Sequence, residues 1–105
     1  GGDLNLVGSR GPLDLLLSGL AGNGGDLVTV DTPVLGSDAW YTWRDDQSTF
    51  GPGRLDWLLV GDARVVQAFS LDTRVRDPGV IAGWGLRPDD SAVSDHLPVV
   101  VDLRP

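Results

Sequence analysis

The most apolar run in the chain, "LPVVVDL" at 97–103, sets terms that any fold must meet. Its consecutive valines favour an extended strand over a helix, and so apolar a strand has to be covered. Pro98 fits at the start of such a strand or on an edge, where its missing N–H is not needed. Directly before the run stands "SDH" at 94–96, and His96 is the only histidine of the chain. The one group that titrates near neutral pH is therefore placed at the mouth of the most hydrophobic segment, which serves it as an anchor.

Other segments supply partners for that strand. "LVTV" at 27–30 and "RLDWLLV" at 54–60 read as strands, and "AWYTW" at 39–43 is β-rich. "GD" at 61–62 is a two-residue hairpin signal leading into "ARVVQAFSL". "GPLDLLLSGLAG" at 11–22 reads as a short helix. Pro12 lies in its first turn, Leu13, Leu16, Leu17 and Leu20 share one face, and Gly22 falls where a left-handed cap belongs. "NGGD" at 23–26 is a turn, and one or two helical turns begin at Pro78. The segments "RDDQSTFGPG" at 44–53 and "RPDDSAVSD" at 87–95 are loops. Strands mixed with short helices point to the α/β class. "GNGGDLVTV" partly echoes a calcium-binding nonapeptide, but a single copy has nothing to stack on.

At 105 residues the chain is one domain at most. Hydrophobic residues make up 41% and charged residues 22%, which suits a packed core and not disorder. No stretch is long and apolar enough to span a bilayer as a helix. The absence of Cys excludes disulfides and thiolate chemistry, and compartment is left open between the cytoplasm and a bacterial secreted or periplasmic location. All 15 acidic residues are Asp and all 8 basic ones are Arg, for a net charge of −7. That balance disfavours a nucleic-acid partner held by clustered cations and suits recruitment of a divalent cation. With no Met present, the chain reads as part of something longer.

Three short motifs carry chemistry: "GDLN" at 2–5, "RLDW" at 54–57 and "SDH" at 94–96. Singly, each has an ordinary reading: a turn whose Asp bonds its own backbone, an edge strand with Arg and Asp facing water, a histidine engaged in packing. Together they offer three carboxylates, one carboxamide and one imidazole. Such a set can bind a hard cation, hydrogen-bond a phosphoryl oxygen and handle a proton near pH 7.

In this order, with "YTW" at 41–43 between the first two and "PV" one residue after "SDH", the chain resembles the C-terminal part of the endonuclease/exonuclease/phosphatase superfamily, from residue 1 to about residue 103. The resemblance implies half of a four-layered α/β sandwich, a mixed and mainly antiparallel sheet with short helices on one face. It implies phosphoester hydrolysis by water without a covalent intermediate. Carried over by position, Asp3 orients or deprotonates the water, Asn5 binds a phosphoryl oxygen and His96 contacts the scissile phosphate. Asp56 holds the other ring nitrogen of His96. Asp95, with Asp3, contributes to a divalent metal, Mg2+ first and Mn2+ or Ca2+ as alternatives. Trp43 or Phe50 either stacks on substrate or packs.

The chain departs from the family pattern in one respect: the principal metal ligand is a glutamate of the N-terminal half, and there is no Glu here. The expectation is therefore that residues 1–105 form the C-terminal portion of such a domain, inactive alone. An exposed sheet face would pair with the missing N-terminal half or with a second copy. The charge balance favours phosphatase or phosphodiesterase activity over a nuclease acting on DNA. The other competing reading is a non-catalytic interaction module on the same scaffold.

Overall fold

The computed structural model describes residues 1–19 and 27–105. The chain runs β1 (Gly2–Asp3), α1 (Gly11–Gly19), β2 (Val28–Thr29), β3 (Asp56–Trp57), β4 (Leu59–Val60), β5 (Arg64–Ser70), α2 (Pro78–Gly83) and β6 (Val99–Arg104), with 3₁₀ turns at Thr73–Val75 and Asp90–Val93. Helices are thus mixed with antiparallel strands, as the α/β reading requires. The strands form three two-stranded antiparallel ladders, β1–β3, β2–β4 and β5–β6.

The segment at 54–60 does not run as one strand. It changes partner at Leu58: Asp56 pairs with Asp3, whereas Leu59 and Val60 pair with Thr29 and Val28. The Leu58 carbonyl accepts from the Val30 N–H at 2.8 Å, so the handover costs no backbone hydrogen bond there. The expected hairpin at 61–62 is also revised. A type I′ turn needs positive φ at both central residues, and neither Gly61 nor Asp62 has it. The chain bends there instead, and β4 and β5 enter different ladders.

β6 begins one residue after Pro98 and pairs along its length with β5, from Val99 opposite Ser70 to Arg104 opposite Arg64, with a bulge between Val65 and Gln67. The segment 39–43 forms no strand: it bends at Thr42 and pairs only through single bridges, Trp43 to Gly53 and Trp43 to His96.

The start of α1 and both ends of α2 carry local capping contacts. Ser9 Oγ accepts from the Gly11 N–H at the start of α1, and Leu13 is fully buried while Leu16 is exposed. Leu20 and Gly22 lie outside the described residues, as does the turn expected at 23–26. At α2, Asp77 Oδ1 accepts from the N–H groups of Gly79 and Val80, with Pro78 in the first turn. The helix closes on Gly85 at φ +77. Its end carries the paired Gly85 N–H to Ala82 O and Leu86 N–H to Ile81 O bonds that satisfy terminal carbonyls.

Among the described residues the buried apolar set is small: Leu13, Val30, Val34, Val60, Ile81 and Leu97. The radius of gyration is 15.4 Å, against about 13 Å for a packed domain of this length. Val66 and Leu103 on the β5–β6 ladder stand half-exposed, so that ladder has apolar surface uncovered.

Candidate active site

Three segments distant in sequence meet around His96. β1 and β3 place Asp3 directly opposite Asp56, and the bridge between Trp43 and His96 brings the third motif alongside. What binds them is the tripeptide 41–43. The Thr42 hydroxyl, fully buried, accepts from the N–H groups of Leu55 and Asp56 at 3.1 and 2.9 Å. The Thr42 carbonyl accepts from the Leu97 N–H at 2.7 Å. One residue thus ties the backbone that carries Asp56 to the backbone that carries His96.

His96 Nδ1 lies 2.8 Å from Asp56 Oδ2. A carboxylate can only accept there, so Nδ1 carries the proton and the neutral ring presents the Nε2 lone pair. The Asp56 carboxylate raises the His96 pKa above its ordinary value, with the charges of Asp3 and Asp95 adding to it and partial burial opposing it. Nε2 is 3.8 Å from Asp3 Oδ2, too far for a hydrogen bond and near enough for one water oxygen to contact both. Asp3 does make the local turn that its motif suggests: Oδ1 accepts from the Asn5 N–H at 2.7 Å, and Asn5 holds φ 45, which Asn tolerates. With Oδ1 so engaged, Oδ2 is the oxygen on the His96 side.

Asp3, Asn5, His96 and Trp43 line one cavity of about 640 Å³. Its remaining wall is apolar, including Leu6, Leu55 and the exposed Phe50. Arg54 lines it too, but its side chain does not face water as an edge-strand arginine would. One terminal nitrogen donates to the Val30 carbonyl at 2.7 Å, and the guanidinium lies over the Trp57 ring at 4.0 Å.

Asp95 stands apart from this cavity. Its Oδ2 accepts from the Trp43 indole N–H at 2.9 Å, and that bond, first among several contributions, lowers its pKa. Among the described residues, no group of three or more His, Cys, Asp or Glu side chains is placed to hold a metal ion. The donors at the cavity, one carboxylate, one carboxamide and one imidazole, suit a hard cation only as part of a larger shell.

The motifs gave no warning of a second polar cluster, packed against the same tripeptide. Asp72, fully buried, accepts from Tyr41 Oη at 2.8 Å, Arg44 at 2.9 Å, Arg74 Nε at 2.8 Å and Ser91 Oγ at 3.2 Å. Burial pushes the Asp72 carboxyl up, but the bonds from Arg74, Tyr41 and Arg44 outweigh it and hold the pKa at about 2. All three residues of "YTW" are thereby employed: Tyr41 on Asp72, Thr42 on two backbones, Trp43 on Asp95 and the cavity.

Comparison with known proteins finds no family model that matches the chain, and no match among curated proteins or solved structures.

Proposed function

We propose that this chain carries the water-activating and phosphate-contacting part of a divalent-metal-dependent phosphoesterase, hydrolysing phosphomono- or phosphodiesters by direct attack of water. The observation that carries the reading is the line Asp56–His96–Asp3, with contacts of 2.8 Å and 3.8 Å. Asp56 fixes the ring and favours its charged form, which is what a group facing a phosphoryl oxygen needs. Asp3, on the other side of Nε2, is the carboxylate available to orient or deprotonate water. Asn5 would donate its amide to a phosphoryl oxygen. The geometry parallels the logic of an acid–imidazole pair that holds tautomer and orientation.

A bound cation would neutralise charge building on the phosphoryl oxygens. Asp3 is the cavity carboxylate suited to contribute to it through Oδ2, and Asp95, whose Oδ2 accepts from Trp43, would contribute through Oδ1. In this reading the three ladders belong to one half of a four-layered α/β sandwich, and further cation ligands come from the half that covers them. With a net charge of −7, small phosphoesters are favoured over nucleic acid.

The test is turnover of bis-p-nitrophenyl phosphate with Mg2+ by residues 1–105 alone and by a longer chain that includes the preceding sequence. The longer chain should be active, and His96→Asn or Asp56→Asn should each remove at least about a hundredfold of that activity. The short chain should be inactive. Full activity in the longer chain carrying His96→Asn would overturn the proposal.

A further inference from the structure

The cavity beside His96 combines two chemistries: Asp3, Asn5 and His96 supply polar groups, while Leu6, Val7, Trp43, Phe50 and Leu55 supply apolar wall. Its volume of about 640 Å³ is in the range of small-molecule sites and far exceeds what a phosphate group fills. Two of the wall residues are held out in water: Val7 is 79% and Phe50 76% exposed. Within the loop, Ser48 Oγ accepts from the Phe50 N–H at 3.0 Å and Asp45 Oδ1 accepts from the Gln47 N–H at 2.8 Å. Exposed apolar side chains lining one cavity together with polar groups suit a ligand site, where apolar wall surrounds a few polar groups.

The same cavity offers no second cation for a further phosphate. Arg54, its only arginine, has a terminal nitrogen committed to the Val30 carbonyl and its face to Trp57. A substrate with several phosphates would meet one imidazole and the general negative charge of the chain.

Resting on the phosphoesterase reading above, we infer that the apolar wall of this cavity receives the substrate's organic group. The preferred substrate is then a phosphoester with a single phosphate joined to an aromatic or similarly flat apolar group.

The test reads binding on His96, whose ring signals are unambiguous by NMR because it is the only histidine. Residues 1–105 are titrated in the presence of Mg2+ with methyl phosphate, phenyl phosphate and phenol. Phenyl phosphate should bind about tenfold more tightly than methyl phosphate, equivalent to about 1.4 kcal/mol. Phe50→Ser and Val7→Ser, at positions too exposed to carry the fold, should each reduce that advantage severalfold and leave methyl phosphate unchanged. Equal affinity for the two phosphates, with both shifting His96, overturns the inference and spares the phosphoesterase reading. No shift of His96 by either phosphate also overturns the inference, and the phosphoesterase reading then rests on the turnover test above. Phenol binding as tightly as phenyl phosphate also overturns the inference, because the polar groups then contribute nothing.

Discussion

Replacing Asp72 with Asn isolates the largest electrostatic commitment in the chain. The native carboxylate is fully buried between the guanidinium groups of Arg44 and Arg74. Both arginines are themselves mostly covered, at 23% and 17% exposure. Removing one partner of a buried pair costs about 3–5 kcal/mol, chiefly because the remaining charge is left uncompensated. Asp46 keeps hold of Arg44, which puts the expectation near the lower end, about 3 kcal/mol. In urea that is a fall in midpoint of about 2 M for a chain of this size. The pH dependence supplies an independent check. The gap between the ordinary 3.8 and the native value of about 2 corresponds to roughly 2–3 kcal/mol. Because the native pKa is the lower one, that stability is fully present above about pH 4 and is lost as pH falls from there through about 2. The difference between wild type and Asp72→Asn should therefore be large at pH 7 and shrink to under about 1 kcal/mol by pH 2. Other carboxylates titrate equally in both proteins and cancel. A difference below about 1 kcal/mol at pH 7, or one that does not change with pH, refutes the reasoning.

Asp56→Asn should lower the His96 titration midpoint measured by NMR; an unchanged midpoint would mean that the pair does not form in solution. The same pairing makes a stability contribution that is present below pH 6.5 and lost as pH rises through the raised native value. Thermal or urea unfolding across that window should show the loss in wild type and not in Asp56→Asn. Thr42→Val leaves two backbone N–H groups without their acceptor and should destabilise by about 2 kcal/mol, with Thr42→Ser restoring most of it. The half-exposed Val66 and Leu103 should drive self-association that sedimentation detects as concentration rises. Leu103→Lys should weaken it, and a monomer at high concentration would argue against an open sheet face.

How far the sequence disclosed this arrangement differs by element. α2 was legible because its signals are local: Asp77 and Pro78 mark its start within three residues. β6 was legible because a run of valines has few other uses. The break at Leu58 was not, since β3 and β4 differ only in which distant strand each meets, and residues 54–60 are uniformly strand-like. The hairpin expected at Gly61 and Asp62 failed for a related reason. Residue type permits that turn, but pairing of β5 with β6 pulls the chain elsewhere. At the site, Asp3, Asp56 and His96 could be named together because the motifs "GDLN", "RLDW" and "SDH" that hold them resemble, in kind and order, those of a known superfamily. Asp72 looks in sequence like any of the other aspartates, and only its burial sets it apart.

The two polar clusters are not independent, since both are built on residues 41–44. Tyr41 and Arg44 bond Asp72 from either end of the segment. Between them Thr42 holds the Asp56 backbone and Trp43 pairs with His96. The Arg44 N–H also donates to the Asp95 carbonyl at 2.7 Å, next to the imidazole. Neither Asp56 nor His96 is deeply buried, at 22% and 35% exposure, so packing alone does not fix their separation. The segment does so, and the segment in turn is fixed by a carboxylate that water cannot reach. A pair this exposed is worth little by itself, and its alignment has to be imposed from outside the pair. It follows that Asp72→Asn should disturb the His96 titration without touching any group that faces the imidazole, whereas Arg87→Ala, which removes an exposed pair with Asp90, should leave that titration unchanged.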